Sequence, residues 1–283
     1  MMENSKIMKL MFSKIKKIKS ISIKRNEKIN KIKSSGLLNN ISYKKKNSKY
    51  NLIIICTGAN SKLVKSIFND QYIQNSYEEV AISVLLKHQP IKNNIVRQIF
   101  LNDEILALLP ISNNKTSIVW TIKKKNKKKN IFYKNKIKFY AGKFLKRIKF
   151  INKIEYRNLN FLIRSQYYKE RTLLFGDALH LVHPLAGQGF NMTLRDLYYL
   201  EKVLEKKISL GLDIGSSDNL LEFSRKIKPR NFAYSMGIDF FKKSFSIQKN
   251  PFKEIKNNII KKLNKNNYFK SIFFNLADEG FKF

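Results

Sequence analysis

With 283 residues and 43% hydrophobic content, the chain is long enough to form one large core or two modest ones. A single cysteine, Cys56, excludes a disulfide framework and suits a reducing compartment, and no uninterrupted apolar run reaches the length of a membrane-spanning helix. The net charge of +37 would ordinarily point to nucleic acid or an anionic membrane, but the basic residues are mostly dispersed lysines without a recognition motif, which speaks against a nucleic-acid role and leaves weak peripheral attraction to anionic lipid.

In chain order, residues 1–48 are rich in Lys, Ser and Asn with no lasting apolar period, and read as a basic, disordered arm or as an import sequence. Tyr50–Cys56 is nearly continuously apolar, as a parallel strand covered on both faces would be, and leads into a turn at Thr57 and Gly58. Residues 79–88, 94–101, 105–111 and 116–123 are strands between polar turns, a spacing that favours an antiparallel sheet. Residues 130–149 carry Ile137, Tyr140, Ala141, Phe144 and Ile148 at helical intervals and predict a helix across that sheet. Thr172–Phe175 is a short buried strand stopped by Gly176 and Asp177, and Pro184, Gly187 and Gly189 precede a helix with its apolar stripe at Leu194, Leu197, Leu200 and Leu204. Residues 219–245 and 252–274 are further helices, with Pro229 marking a break or a first turn and Pro251 a start.

Residues 174–196, LFGDALHLVHPLAGQGFNMTLRD, resemble the second flavin motif of the FAD-dependent aromatic hydroxylases with the para-hydroxybenzoate hydroxylase fold, and within them the ubiquinone-biosynthesis hydroxylases. The match runs through Gly176, Asp177, His180, His183, Pro184, Leu185, Ala186, Gly187, Gln188, Gly189, Phe190, Asn191, Arg195 and Asp196. Residues 52–61, LIIICTGANS, and 104–120, EILALLPISNNKTSIVW, are weaker echoes, the first with Thr57 where the family usually has Asp. That hydroxyl can hydrogen-bond but brings no charge to the pyrophosphate side.

The resemblance implies an α/β fold: an N-terminally incomplete Rossmann-like FAD-binding domain of residues 49–75 and 166–283, an inserted, mainly antiparallel β-sheet substrate domain of residues 76–165, and C-terminal helices. The family's opening G-x-G-x-x-G turn, which holds the ADP half of FAD, has no counterpart here, since Gly36 alone precedes Gly58. The implied activity is hydroxylation of a polyprenylated phenol on the way to ubiquinone, using O2 and reducing equivalents from NAD(P)H, with FAD carrying the redox steps. Thr57, Gly58, Gly176, Asp177, Pro184, Ala186, Gly187, Gln188, Gly189, Phe190 and Asn191 would contact FAD, and the helix start near Asn191 would favour negative charge on the reduced ring. Pro184, Leu185 and His183 would line the reacting edge.

Asp177, His180 and His183 recur every three residues, but no third nitrogen or thiolate ligand accompanies the two histidines, so no metal is expected. Either histidine suits a structural hydrogen bond as well as a catalytic one, Arg195 and Asp196 suit a pair on the helix surface or a brace for the turn, and Trp120 suits core or pocket wall. Pro110 reads as a strand end near the pocket. Leu106, Leu108, Ile118 and Phe161 are the candidate apolar lining for the substrate. A chain supplying the absent nucleotide turn is an implied partner, and a degenerate scaffold that has lost FAD is the alternative reading. The expected location is the cytoplasm, peripheral at the inner membrane of a bacterium with an A/T-rich genome, with a mitochondrion as the alternative.

Overall fold

A computed structural model describes residues 3–43, 46–68, 72–101, 104–126, 128–184 and 188–246, with side chains through Asp239. The chain divides into two compact units, one built on residues up to Asn26 together with Tyr77–Leu159, the other on Glu27–Ser76 together with the chain from Asn160 onward.

The basic segment 1–48 is not the unstructured arm that its composition suggests. It contains helix α1 (Asn4–Ile15) and, with the residues that follow, an antiparallel sheet of β1 (Ile29–Ser35), β2 (Leu38–Tyr43) and β3 (Lys46–Tyr50) in that order. Gly36, at φ +63°, closes the two-residue loop between the paired Ser35 and Leu38, a backbone conformation that side chains resist. Long-range contacts overcome the weak local pattern: Ile32 and Ile41 pack on the core of the second unit, and buried Asn39 donates to Thr172 Oγ1 at 2.8 Å.

The predicted strand at 50–56 is accordingly split. Tyr50 ends β3, and Ile53–Ile55 form β4, followed by α2 (Lys62–Ile67), whose first turn is capped by Ser61 Oγ accepting from Val64 N. A long strand, β5 (Tyr72–Lys87), then enters the first unit, where β6 (Arg97–Leu101), β7 (Glu104–Ser112) and β8 (Lys115–Lys123) pair antiparallel in the order β5-β8-β7-β6. Alternate residues face one core: Val80, Ile82, Val84 and Leu86 meet Leu106, Leu108, Ile118, Trp120 and Ile122. Helix α3 (Asn130–Gly142) covers that face through Tyr133, Ile137 and Ala141, spaced by one helical turn.

Helix α3 stops short of the expected residue 149. Phe144 N and Leu145 N both turn back onto the Ala141 carbonyl, Leu145 is buried there, and the chain continues as β9 (Lys149–Phe150) on the other side of β5. Strand β10 (Glu155–Arg164) carries the chain out of the first unit, and β11 (Tyr168–Lys169) pairs antiparallel with β12 (Thr172–Leu174). Strand β12 lies parallel to β4, matching Thr172 to Ile53 and Leu174 to Ile55. In this three-stranded sheet β4 is one of the two outer strands, and Ile54 on it is 40% exposed.

After β13 (His180–Leu181) come α4 (Gln188–Ser209) and α5 (Ser217–Ser246). The buried face of α4 is Met192, Asp196, Leu200 and Val203, whereas Leu194 and Leu197 of the predicted stripe are 47% and 50% exposed. Helix α5 runs through Pro229 without a break. Leu220, Phe223 and Ile227 before the proline, and Ile238 after it, are buried and hold both halves in place despite the missing N–H. The helix predicted at 252–274 lies outside the described residues, as do Leu185, Ala186 and Gly187.

Candidate functional site

The two parallel strands end together. Phe175 N donates to Ile55 O at 3.0 Å as the last rung, and beyond it each strand turns on a left-handed glycine, Gly58 at φ +84° and Gly176 at φ +60°. Crevices outside the carboxyl ends of parallel strands are where open α/β sheets bind ligands. Around a Cβ placed on Gly58 there is only open space, whereas one on Gly176 would touch the Thr193 side chain of α4 at 3.6 Å.

Gly176–Ala178 form a short 3-10 turn that leaves Asp177 exposed between two buried neighbours. Arg164 braces it from below, donating from Nε to Ala178 O at 2.8 Å and from its backbone N to Leu179 O at 3.2 Å. The chain then pairs with β10, Ile163 opposite His180 and Leu162 opposite Leu181, and reaches His183, which is 1% exposed.

Helix α4 opens beside this segment, since a Cβ on Gly189 would meet Val182 at 3.6 Å. No acidic residue occupies its first turn, so the unpaired N–H groups keep their partial positive charge. The Gln188 carboxamide oxygen accepts from the Tyr234 hydroxyl and, at 3.5 Å, from Asn191 Nδ2. Phe190 is 60% exposed.

Arg195 and Asp196 do not pair on the helix surface. Asp196 points into the core at 1% exposure, where its Oδ2 accepts from Asn231 Nδ2 at 2.9 Å and lies 2.8 Å from His180 Nε2. Three elements, β13, α4 and α5, thus meet on one carboxylate oxygen, which gives His180 a structural role. Tyr167 belongs to the same nest, and burial together with the Asp196 charge pushes its hydroxyl far above the ordinary tyrosine range. Arg195 instead stacks over the Tyr234 ring at 4.1 Å, with a buried Nη1 that has no hydrogen-bond partner.

On the far side of the same unit, Arg171 forks onto both carboxylate oxygens of Asp213 and reaches Asn51 O at 3.1 Å, just before β4. Gly215 N and Asn219 Nδ2 complete the loop by donating to Asp213 Oδ1 and O. The Arg171 guanidinium holds the Asp213 carboxyl below the usual carboxylate range.

The predicted substrate lining is not a lining. Leu106, Leu108 and Ile118 are at most 2% exposed and pack with Trp120 and α3 in the solid core of the first unit, and Phe161 is 6% exposed. Trp120 is a core residue, donating to Glu104 Oε2 at 3.2 Å, and Pro110 sits within β7 opposite Thr116 and not at a strand end. A cavity of about 850 Å³ lies instead in the second unit, walled by Tyr72, Ile73, Ile163, Arg164, Lys228 and Phe232. The Arg164 guanidinium lies 5.1 Å from the Tyr72 ring centroid. The lone arginine that interrupts the FLIRS segment was the available signal for this wall. Among the described residues no group of three or more His, Cys, Asp and Glu is placed to hold a metal ion, and no helix is long and apolar enough to cross a membrane.

The family model for squalene epoxidase matches residues 49–276. The chain belongs to the squalene epoxidase family. Relatives include the mitochondrial ubiquinone biosynthesis monooxygenase COQ6 of Danio rerio, 26% identical over 69% of this chain and 48% of that protein. The COQ6 of Saccharomyces cerevisiae is 48% identical over 24% of this chain and 14% of its own length, and ubiquinone hydroxylase UbiL of Rhodospirillum rubrum is 29% identical over 55% and 37%. Squalene epoxidase family membership thus comes with a chain spanning about half the length of the curated relatives it matches. Among solved structures, p-nitrophenol 4-monooxygenase PnpA from Pseudomonas putida superposes with a TM-score of 0.79 at 12% identity, covering 100% of this chain and 73% of that one. Klebsiella pneumoniae HpxO, solved with FAD, gives 0.68 at 13% identity over 89% and 67%. These likenesses fix the mixed α/β fold of the flavin-dependent monooxygenases.

Proposed function

We propose that this chain is the flavin-facing part of an FAD-dependent monooxygenase that hydroxylates a polyprenylated phenol in ubiquinone biosynthesis, with O2 and NAD(P)H as co-substrates. One observation carries the reading: two glycine turns at the shared carboxyl end of β4 and β12, with Asp177 exposed between them and the start of α4, whose first turn bears no acidic residue. The donor set fits the riboflavin half of FAD. Gly58 leaves room for close approach, Asp177 offers an acceptor for a ribityl hydroxyl, and Thr57 adds a hydroxyl on the pyrophosphate side.

When bound, FAD supplies the electron transfer and oxygen chemistry. The protein residues orient and shield. By the resemblance, the backbone of Ala186, Gly187, Gln188, Gly189, Phe190 and Asn191 would hold the ring, with the start of α4 favouring negative charge upon it. By the same resemblance, Pro184, Leu185 and His183 would border the reacting edge. The apolar cavity walled by Tyr72, Ile163 and Phe232 suits a phenol with a hydrocarbon tail, and Arg164 suits its oxygen.

The nucleotide half of the site is assigned to a partner segment bearing a G-x-G-x-x-G turn. Among the described residues no strand pairs with the outer edge of β4, and Phe190, Leu194, Leu197 and Tyr198 form an exposed apolar stripe on α4, an edge and a face on which such a segment could dock. FAD titration followed by flavin fluorescence tests the proposal. Weak quenching by this chain alone, tightened when the glycine-rich segment is added, is expected. A chain that leaves FAD unquenched in both cases is a scaffold without the cofactor.

A further inference from the structure

Among the described α-helices α1 alone has no buried residue, although half of it is apolar. Ile7, Met8, Met11, Phe12 and Ile15 fall on one face at intervals of one, three and four, and Met8 and Met11 are 51% and 54% exposed. The remaining face carries Lys6, Lys9, Ser13 and Lys14 together with one apolar residue, the exposed Leu10, and is continued by Lys16 and Lys17 just past the helix. Between Glu3 and Glu27 every charged residue is basic.

A 12-residue helix with no buried residue is marginal in water, and although Ile7, Phe12 and Ile15 are half-buried and Arg25 lies over the Phe12 ring, Met8 and Met11 leave the apolar face incompletely covered. Charge selects the surface that completes the cover. A polar face whose only charges are positive, flanking Met, Ile and Phe, is the pattern of a helix lying in the plane of an anionic bilayer, with the apolar side among the acyl chains and the lysines at the headgroups. We infer that α1 docks this chain on an anionic lipid surface. The inference does not depend on flavin binding or on the proposed reaction.

The test is sedimentation of the full chain with vesicles of phosphatidylcholine, with and without 30% phosphatidylglycerol. Because the whole chain carries +37, diffuse charge is the competing cause, and the apolar arm separates the two. Replacing Met8 and Met11 by Gln leaves the charge and the packed core untouched, and should weaken binding to the anionic vesicles by about tenfold or more. Replacing Lys6, Lys9, Lys16 and Lys17 by Gln should weaken it by about fivefold per residue. Binding to vesicles without phosphatidylglycerol should be slight. The inference is overturned if the unmodified chain stays in the supernatant with anionic vesicles, or if the Met8→Gln/Met11→Gln variant sediments as well as the parent, which assigns the attraction to diffuse charge. Circular dichroism of each variant should match the parent, because the replaced side chains are solvent-exposed.

Discussion

Asp196→Ala should be among the most damaging substitutions outside the glycine turns. The carboxylate is 1% exposed and a single oxygen, Oδ2, serves both His180 and Asn231, which are themselves 2% and 5% exposed. Removing it strands two buried polar groups on β13 and α5 in addition to the lost bonds. At about 1–3 kcal/mol for each of the two groups left unsatisfied, the total is about 2–6 kcal/mol. That is a large share of the roughly 5–15 kcal/mol that holds a folded domain together. Asp196→Asn is the informative control. Its carbonyl can occupy the Oδ2 position and accept from both partners, so only the charge assistance is lost, about 1 kcal/mol. Urea unfolding followed by far-ultraviolet circular dichroism reads both, since Trp120 lies in the other unit and reports little on this one. Equal destabilisation by Asn and Ala, or a loss below about 1 kcal/mol for Ala, would refute the shared-oxygen argument.

Gly215→Ala should fail for steric reasons, since its Cβ would fall on the Asn51 carbonyl oxygen and within 2.7 Å of Arg171 Nη1; a loss of about 1–3 kcal/mol in the same unfolding assay is expected, and a neutral result would show that the loop relaxes freely. Asp213 should shape the acid limb of stability. Its folded-state pKa is depressed by Arg171, so its contribution is present above the ordinary carboxylate range and lost as pH falls through the lower folded value. Asp213→Asn should therefore reduce stability near neutrality and flatten the decline in acid, as read by thermal melts across pH 2–6, a window of about that width around ordinary carboxylate values. Cys56, the single thiol, is exposed at the end of β4, yet partial burial of its sulfur pushes its pKa above the ordinary value. Its alkylation rate should still be climbing above about pH 9, and FAD bound at the adjacent Thr57 and Gly58 should slow it. A rate unaffected by FAD under conditions where flavin fluorescence is quenched would place the cofactor elsewhere.

The sheet of the first unit was legible because the alternation in 79–88, 105–111 and 116–123 leaves one side apolar over many residues, and a one-residue slip would expose all of it. The glycine turns at 58 and 176 were legible for a local reason too, since only glycine tolerates those backbone angles cheaply. The pairing of β4 with β12 joins segments more than a hundred residues apart, and neither run of three or four apolar residues names its partner. The hairpin at 29–43 was hidden because its pattern is weak locally and is completed by Ile32, Ile41 and Asn39 meeting the second unit's core.

By itself the sequence determined the flavin-motif resemblance, the antiparallel strands and the basic character of the chain, all of which rest on neighbours along the backbone. Only the tertiary structure decided which face of α4 turns inward. The leucine stripe at 194 and 197 is outside and Asp196 inside, because His180 and Asn231 arrive from distant segments to satisfy its carboxylate. The same holds for the cavity at Arg164 and the passage of α5 through Pro229, where contacts made far along the chain outweigh local preference.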